Sequence, residues 1–290
     1  MFRLGQVAGA SCEQPAGWGQ AGRPPLLGTC PRKPSDGRGW ALASLAGPVL
    51  GALSARDAAA LAFSALGSFA WVKIFDLLAA NNVLEQKLSR KIVHITTGPL
   101  FILTWPLFSG AAYARYLALL VPAANFLRLF LVGTGVVKDE GLVKSISRQC
   151  DRTELLRGPL YYVMTLMAVT ALCWRDSMAG MMVVAVMCAG DGFADVIGRQ
   201  WGRKRWSYNR SKTLEGSAAM FVAGTLTGIG LMVVFRGMGY ISFCAGPTFL
   251  GVVLISCIST FVEALPINNV VDDNLSVPLV AGLLANWLLM

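Results

Sequence analysis

From residue 58 onward, the sequence consists of long apolar segments separated by short polar loops. Most segments have the length that a helix needs to cross a bilayer, about 17 to 25 residues. None alternates like a barrel strand, and in lipid the backbone must satisfy its hydrogen bonds internally. The sequence therefore predicts an all-α fold, a polytopic integral membrane helix bundle with seven or eight transmembrane helices. The spans are placed at 58–80, 93–110, 112–137, 158–175, 178–198, 217–235, 241–263 and 276–290, the last short enough for a half-span.

The composition supports a membrane protein and argues against a nucleic-acid-binding one. Hydrophobic residues make up 55% of the chain and charged residues 14%, whereas a soluble domain carries about 25% charged residues. The formal net charge is +9, but the cations lie mainly in loops between the spans, where they orient a membrane protein. We therefore expect the lipid bilayer as a partner and no nucleic acid.

The loops also predict an orientation. Loops 81–91, 138–157 and 199–216 hold most of the lysines and arginines, and loop 264–275, on the same face, holds none. The loops of the other face carry only Arg115, Arg175 and Arg236. By the positive-inside rule, the first face is cytoplasmic, or stromal in a plastid. Every polar cluster of interest falls on that face.

Residues 1–55 differ from the rest of the chain. They are rich in Gly, Pro and Ala, contain several arginines and have few acidic residues. This pattern is typical of an organelle transit peptide, although serine is sparse, and a disordered leader is the alternative. We expect a leader at 1–55 and a membrane-embedded domain at 56–290.

The stretch from 190 to 217 concentrates the groups that could carry out chemistry. Asp191 and Asp195 are four residues apart at the end of an apolar run, so both carboxylates point to the same side of a helix. Two such charges repel each other unless a cation lies between them. Mg²⁺ is the natural candidate, since it binds one or two carboxylates together with substrate phosphates. The alternative is that both aspartates pair with arginines of the following loop.

The loop after these aspartates is basic and rich in glycine. Glycines let a backbone approach a ligand closely, and the cations can neutralise phosphates. There is no G-x-x-x-x-G-K-[ST] run, so the loop is not a P-loop. The candidate nucleotide- and phosphate-binding residues here are Gly192, Gly198, Arg199, Gly202, Lys204, Arg205, Lys212, Thr213, Glu215 and Gly216.

Other polar residues recur at the ends of the spans. Arg90 and Lys91 join the phosphate-binding candidates, and His94 shares a helix face with Arg90. Alternatively, Arg90 and Lys91 only set the membrane orientation, and His94 is a buried residue with a structural role. Since His94 is the single histidine, a multi-histidine metal site is excluded.

Arg128 lies within an apolar span, where a charge costs about 2.5–3.5 kcal/mol and needs a partner. It is either a phosphate ligand or one half of a structural ion pair. The remaining candidates are Asn125, Glu154, Glu263, Asp272 and Asp273.

Four ordered motifs resemble the membrane-bound polyprenol kinase family, which includes phytol kinase, farnesol kinase and dolichol kinase. They are RKIVHITTG (90–98), GDGFADVIGRQWG (190–202), KTLEGS (212–217) and DDNLSVPL (272–279), and the resemblance covers about residues 60 to 290. The second and fourth motifs are most similar to the phytol and farnesol kinase branch.

The resemblance implies a nucleotide triphosphate donor of the CTP type, Mg²⁺ and a prenyl alcohol acceptor, with phytol ahead of geranylgeraniol and farnesol. It also implies a role in tocopherol and isoprenoid salvage. Asp191 and Asp195 would hold the metal, and an aspartate or His94 could serve as the base. A chloroplast membrane with the polar face towards the stroma is expected, and the endoplasmic reticulum membrane is the alternative.

Three other functions stay open on the sequence. A membrane cytidylyltransferase that makes CDP-lipids would use the same groups but release pyrophosphate instead of CDP. A transporter would line its route with intramembrane charges and is expected to show inverted repeats, which the sequence lacks. A non-catalytic scaffold would leave the paired aspartates unexplained.

Overall fold

The computed structural model describes residues 54–147, 149–266 and 271–289. The predicted leader at 1–55 lies outside these residues except for its last two positions. The described chain is helical apart from its loops and one isolated β-bridge between Arg205 and Thr213. Its α-helices are α1 (Ala55–Ala80), α2 (Gln86–Thr104), α3 (Ala114–Thr134), α4 (Glu140–Ile146), α5 (Gly158–Leu172), α6 (Met178–Val184), α7 (Asp191–Trp201), α8 (Leu214–Gly237), α9 (Ala245–Ala264) and α10 (Asp273–Leu288).

Each of the eight predicted spans falls on a helix, which confirms an all-helical, polytopic membrane bundle. Six helical segments of the described chain are long and apolar enough to cross a membrane: Ala55–Ala80, Ala114–Thr134, Arg152–Leu172, Met178–Trp201, Leu214–Gly237 and Ala245–Ala264. The other two predicted spans correspond to α2 and α10. Helix α2 carries cations in its first two turns, and α10 has 16 residues. Sixteen residues extend about 24 Å, less than the hydrocarbon core of about 30 Å.

A helical rod at Met178–Trp201 forms the centre of the bundle. It consists of α6, a π-helical turn at Ala185–Gly190 and α7. In its apolar stretch 72% of the residues are buried, against 11% in α1. A Cβ atom on Gly228 of α8 would lie 2.5 Å from the sulfur of Met182, so α8 packs directly on the rod because glycine stands there. Helices α2, α5, α9 and α10 pack against this pair, and α1 and α3 pack outside α2 and α5.

One end of the bundle is held together by hydrogen bonds to the backbone. Asp57 at the start of α1 accepts hydrogen bonds from the Ser109 amide at 2.7 Å and from its hydroxyl at 2.8 Å. Arg175, after α5, donates to the carbonyls of Phe108 and Ser109 at 3.0 and 2.9 Å. We call this group of Asp57, Phe108, Ser109 and Arg175 the anchored end. The polar clusters predicted to carry function lie at the other end.

Candidate functional site

Asp191 and Asp195 lie one turn apart at the start of α7, where the π-helical turn ends. The Nζ atom of Lys91, from α2, lies 3.6 Å from Oδ2 of Asp191 and 3.3 Å from Oδ2 of Asp195. Asp195 also accepts a hydrogen bond from Arg199 Nε at 2.7 Å. The paired carboxylates therefore share a lysine, which offsets the repulsion between them.

His94 stands beside Asp191 and is held in a defined orientation. Its Nε2 atom lies 3.4 Å from Asp191 Oδ2 and 3.2 Å from the carbonyl oxygen of Met187, in the π-helical turn. A carbonyl only accepts, so Nε2 carries a hydrogen in this arrangement. The Tyr162 ring packs 4.6 Å from the imidazole, and its hydroxyl donates to the carbonyl of His94 at 3.1 Å. His94 Nε2 thus faces both the Met187 carbonyl and the Asp191 carboxylate, and this contact helps to position Asp191.

A second ion-pair group forms around Lys212. Its Nζ atom contacts the carboxylates of Glu263, at the end of α9, and Asp273, at the start of α10, the latter at 2.9 Å. Burial lowers the pKa of the Lys212 ammonium, but the charges of Glu263 and Asp273 raise it further, so the pKa lies above its ordinary value. Lys212 is therefore a cation at physiological pH.

The two groups meet at Asp191. Carboxylate oxygens of Asp191, Glu263 and Asp273 all lie within 4.8 Å of one another, a spacing that could hold one metal ion. The sequence predicted the metal on Asp191 and Asp195, and that pairing stays a prediction. Asp195 is not part of the three-carboxylate group, which joins α7, α9 and α10. We call Asp191, Glu263, Asp273 and the two lysines, Lys91 and Lys212, the charged end.

Glycines bring the basic loop back to the charged end. A Cβ atom on Gly216 would lie 2.8 Å from the carbonyl oxygen of Ala194, and one on Gly198 would lie 3.0 Å from Thr213 Oγ1. Thr213 caps α8 by accepting from the Gly216 amide at 3.1 Å. This close approach of α7 and the start of α8 places Lys212 next to the carboxylates.

The structure brings only part of the predicted phosphate-binding loop to the site. Arg205 lines a large cavity that Lys212 also borders, and it donates to the carbonyl of Arg210 at 3.0 Å. The amide of Lys204 donates to the carboxylate of Glu215 at 3.2 Å, and neither residue lines that cavity. Gly192 does not line it either, and a Cβ atom there would clash with Ile95 of α2.

The remaining predicted residues also line the cavity. Arg128 forms an ion pair of 2.7 Å with Asp139, as expected for a charge within a span. The hydrogen bond from Arg128 and that from the Leu142 amide lower the pKa of the Asp139 carboxyl. The other lining residues of this group are Arg90, Asn125, Glu154, Gly198, Arg199, Gly202, Thr213, Gly216 and Asp272.

The charged end borders this cavity of about 2180 Å³, and Asp195 and His94 also lie in its wall. Charged residues surround one part of it. Apolar residues of α1, α2, α3 and α5 surround the rest, which extends towards the anchored end. The site therefore combines a place for a metal and phosphates with a place for hydrocarbon.

Sequence reasoning missed two contributors to the site. Tyr162 lies in an apolar helix with nothing in its neighbourhood to mark it, and its contact with His94 arises from packing alone. The other is the carbonyl of Met187, which contacts His94 and lies in the π-helical turn. Such π-helical turns are frequent at functional sites, but the residues 178–189 show no signal for one.

Known relatives share most of the chain. "Probable phytol kinase 1, chloroplastic" of Glycine max is 48% identical over 213 residues, which cover 73% of this chain and 70% of the relative. Phytol kinase 1 of Arabidopsis thaliana is 43% identical, with 77% and 73% covered. The farnesol kinase of Arabidopsis thaliana, also named chloroplastic, is 40% identical, with 78% and 74% covered.

Two other comparisons add no relatives. No family model matches the chain. No solved structure matches it either. The identities of 40 to 48% over most of both chains nevertheless decide its relationship, as the four ordered motifs predict. The chain belongs to the phytol kinase and farnesol kinase branch of the polyprenol kinase family.

Proposed function

We propose that the protein is a CTP-dependent kinase that phosphorylates a prenyl alcohol dissolved in the membrane. Phytol is the first candidate, ahead of geranylgeraniol and farnesol, and the monophosphate would feed tocopherol and isoprenoid salvage. The observation that carries the proposal is the single cavity in which carboxylates and lysines meet an apolar wall. Relatives named phytol kinase and farnesol kinase support it. Their chloroplastic names support a chloroplast membrane. We propose that the charged end faces the stroma, as the positive-inside rule predicts.

The charged end fits Mg²⁺. Asp191, Glu263 and Asp273 offer only oxygen ligands, which this hard cation prefers. The ammonium groups of Lys91 and Lys212 already stand against these carboxylates, so the site is built for positive charge. When bound there, Mg²⁺ would neutralise phosphate oxygens and help to orient the nucleotide.

The two lysines would act on the nucleotide. Each now pairs with carboxylates, and each can turn its ammonium towards phosphate oxygens when a nucleotide enters the cavity. Phosphoryl transfer depends mainly on positioning and on neutralising charge that is spread over the transferred group. Lys91 contacts Asp191, and Lys212 contacts Glu263 and Asp273, the other two carboxylates of the group, so both lysines would be in reach of one phosphate chain.

In the transfer, a bond forms between the alcohol oxygen and the γ-phosphorus, and the bond from that phosphorus to the β-γ bridging oxygen breaks. CDP leaves with the electron pair of the broken bond. The alcohol proton passes to a carboxylate, for which Asp191 and Asp195 are the candidates in reach of the lysines. His94 Nε2 already carries a hydrogen, so its role here is to hold Asp191.

A membrane assay tests the proposal directly. Membranes containing the chain are incubated with each of CTP, UTP, ATP and GTP against phytol, geranylgeraniol and farnesol, with Mg²⁺ or with a chelator. Prenyl monophosphate and CDP are expected from CTP, and the chelator should abolish both. Membranes that form no prenyl phosphate with any nucleotide would contradict the proposal.

The same assay separates the kinase from a cytidylyltransferase. The latter would release pyrophosphate and leave a CDP-lipid, whereas the kinase releases CDP. Measuring the nucleotide product and the lipid product together therefore distinguishes the two activities in one experiment.

A further inference from the structure

Beyond the charged end, the cavity continues as a channel towards the anchored end. Its wall residues include Leu61, Phe69 and Val72 of α1, Phe101 of α2, Val121 of α3 and Leu166 of α5. We call this part the apolar channel. Trp71 of α1 donates to Thr96 of α2 at 2.8 Å, and Thr96 lies two residues after His94, so Trp71 lies slightly closer to the anchored end than His94 does. Leu61 precedes Trp71 by ten residues on α1, which places it about 15 Å closer to the anchored end. The apolar channel thus reaches across about half of a hydrocarbon core of about 30 Å.

Helix α1 forms one wall of the apolar channel and is fastened mainly near its ends. At the anchored end, Asp57 accepts hydrogen bonds from Ser109. Near the charged end, Asp76 accepts from Ser145 at 2.8 Å. In the middle of the helix, Ser64 is buried, but its neighbour Ala65 is exposed and lines the cavity. This part of α1 therefore borders space that a ligand can fill.

The apolar channel also opens sideways. Phe69 on α1 and Leu120 on α3 line the cavity, yet 57% and 51% of their surfaces are exposed. In a membrane, such an opening faces the lipid hydrocarbon. An amphiphile dissolved in the bilayer can therefore enter between α1 and α3 without passing through water.

We infer that the apolar channel holds the isoprenoid chain of the acceptor, with its hydroxyl at Asp191 and its tail at Leu61. The inference rests on the proposed function, since it names where that activity binds its lipid. The complementarity supports it: one end of the cavity is charged, the other is apolar, and a prenyl alcohol has one polar group on a long hydrocarbon chain. Leu61, at the deep end of the channel, then sets the length of chain that fits.

A variant that shortens the apolar channel tests this assignment. Leu61→Trp adds bulk at the deep end only, so phytol, with the longer chain, should be affected more than farnesol. We expect the ratio of the rates on phytol and farnesol to fall about tenfold, because misfit in an apolar pocket costs that much selectivity. The ratio is measured in detergent-solubilised protein with saturating CTP.

Two adjacent residues provide a matched control. Ala65 lines the channel, whereas Leu66 is 69% exposed and does not. Ala65→Trp should slow phosphorylation of both alcohols at least tenfold, and Leu66→Trp should slow neither. If Leu61→Trp and Ala65→Trp both kept the wild-type rates and ratio, the channel would not hold the chain.

A labelling experiment keeps the inference testable without any variant. A prenyl alcohol that carries a diazirine at the end of its tail is irradiated with the wild-type chain, and the labelled peptides are identified. Label in α1 near Leu61 or in the facing part of α3 is expected, whereas label confined to α8 and α9 would overturn the assignment. Labelling needs no nucleotide, so it tests the channel independently of the kinase activity. A chain that forms no prenyl phosphate but is labelled near Leu61 would refute the proposed function and still support the assignment of the channel.

Discussion

Both ends of the bundle contain charged side chains, but the two ends satisfy them in different ways. At the anchored end, Arg175 donates to two backbone carbonyls and lies over the ring of Tyr240 at 4.8 Å. Asp57 accepts from a backbone amide and a hydroxyl. These charges are bonded to parts of the fold that do not move away, so they fasten helices to one another.

At the charged end, the charges face each other across a cavity instead. Lys91 lies between Asp191 and Asp195, and Lys212 lies between Glu263 and Asp273. A side chain that is paired with another side chain can exchange its partner for a metal or a phosphate. The comparison teaches that, at these two ends, the charges paired to the backbone hold the fold, whereas the charges paired with one another around the cavity form the candidate site.

The largest expected effect on turnover is at Asp191, and Asp57, a carboxylate of the anchored end, provides the control. Asp191→Asn should lower turnover by about 10²–10³-fold, the scale of losing a key electrostatic group in an active site. Asp57→Asn should leave turnover per folded molecule unchanged but lower the melting temperature, because it weakens the bonds to Ser109. Rates are measured per folded protein after size-exclusion chromatography. Near-normal turnover in Asp191→Asn would remove the basis for the comparison.

A somewhat smaller loss is expected at Lys212, with a stability effect that can be separated from it. Lys212→Met should lower turnover about 10²-fold. It should also cost about 3–5 kcal/mol of unfolding free energy, since it leaves the buried Glu263 carboxylate without its cation. The double variant Lys212→Met with Glu263→Gln should recover stability but not turnover. Recovery of both would show that Lys212 acts only on the fold.

Tyr162→Phe should have a modest effect, because it removes the hydrogen bond to the backbone carbonyl of His94 but keeps the ring contact with its imidazole. A bond of this kind contributes about 0.5–1.5 kcal/mol, so turnover should fall about threefold to tenfold while the KM for the nucleotide stays the same. Tyr161→Phe is the control, since Tyr161 precedes it on α5 and does not line the cavity. Equal losses in both variants would argue for a general effect on α5.

The smallest expected effect on turnover is at Arg175, in the anchored end. Arg175→Met removes two hydrogen bonds to backbone carbonyls and should lower the unfolding free energy by about 1–3 kcal/mol. Turnover per folded molecule should not change. A loss of turnover without a loss of stability would mean that the anchored end also takes part in function.

Many residues of the candidate site could be predicted, because a charged residue is easy to recognise within or beside an apolar segment of the sequence. Asp191, His94 and Arg128 stand out in apolar surroundings, and the positive-inside rule puts the basic loops on one face. The partner of Arg128 could not be predicted, because Asp139 lies in a loop where an acidic residue is unremarkable. Nor could the pattern distinguish Lys91 from Lys204, although Lys91 lies between the aspartates and Lys204 lies outside the cavity.

The sequence by itself determined an all-helical membrane bundle and the set of polar residues from which a site could be built. Length and apolarity are sufficient for the first, because a spanning segment in lipid has few backbone conformations open to it. Only the tertiary structure decided that Asp191 meets Glu263 and Asp273, and that an apolar channel leads away from them. Those contacts join residues far apart in the chain, and they arise from the close packing of the central rod with α8, α9 and α10.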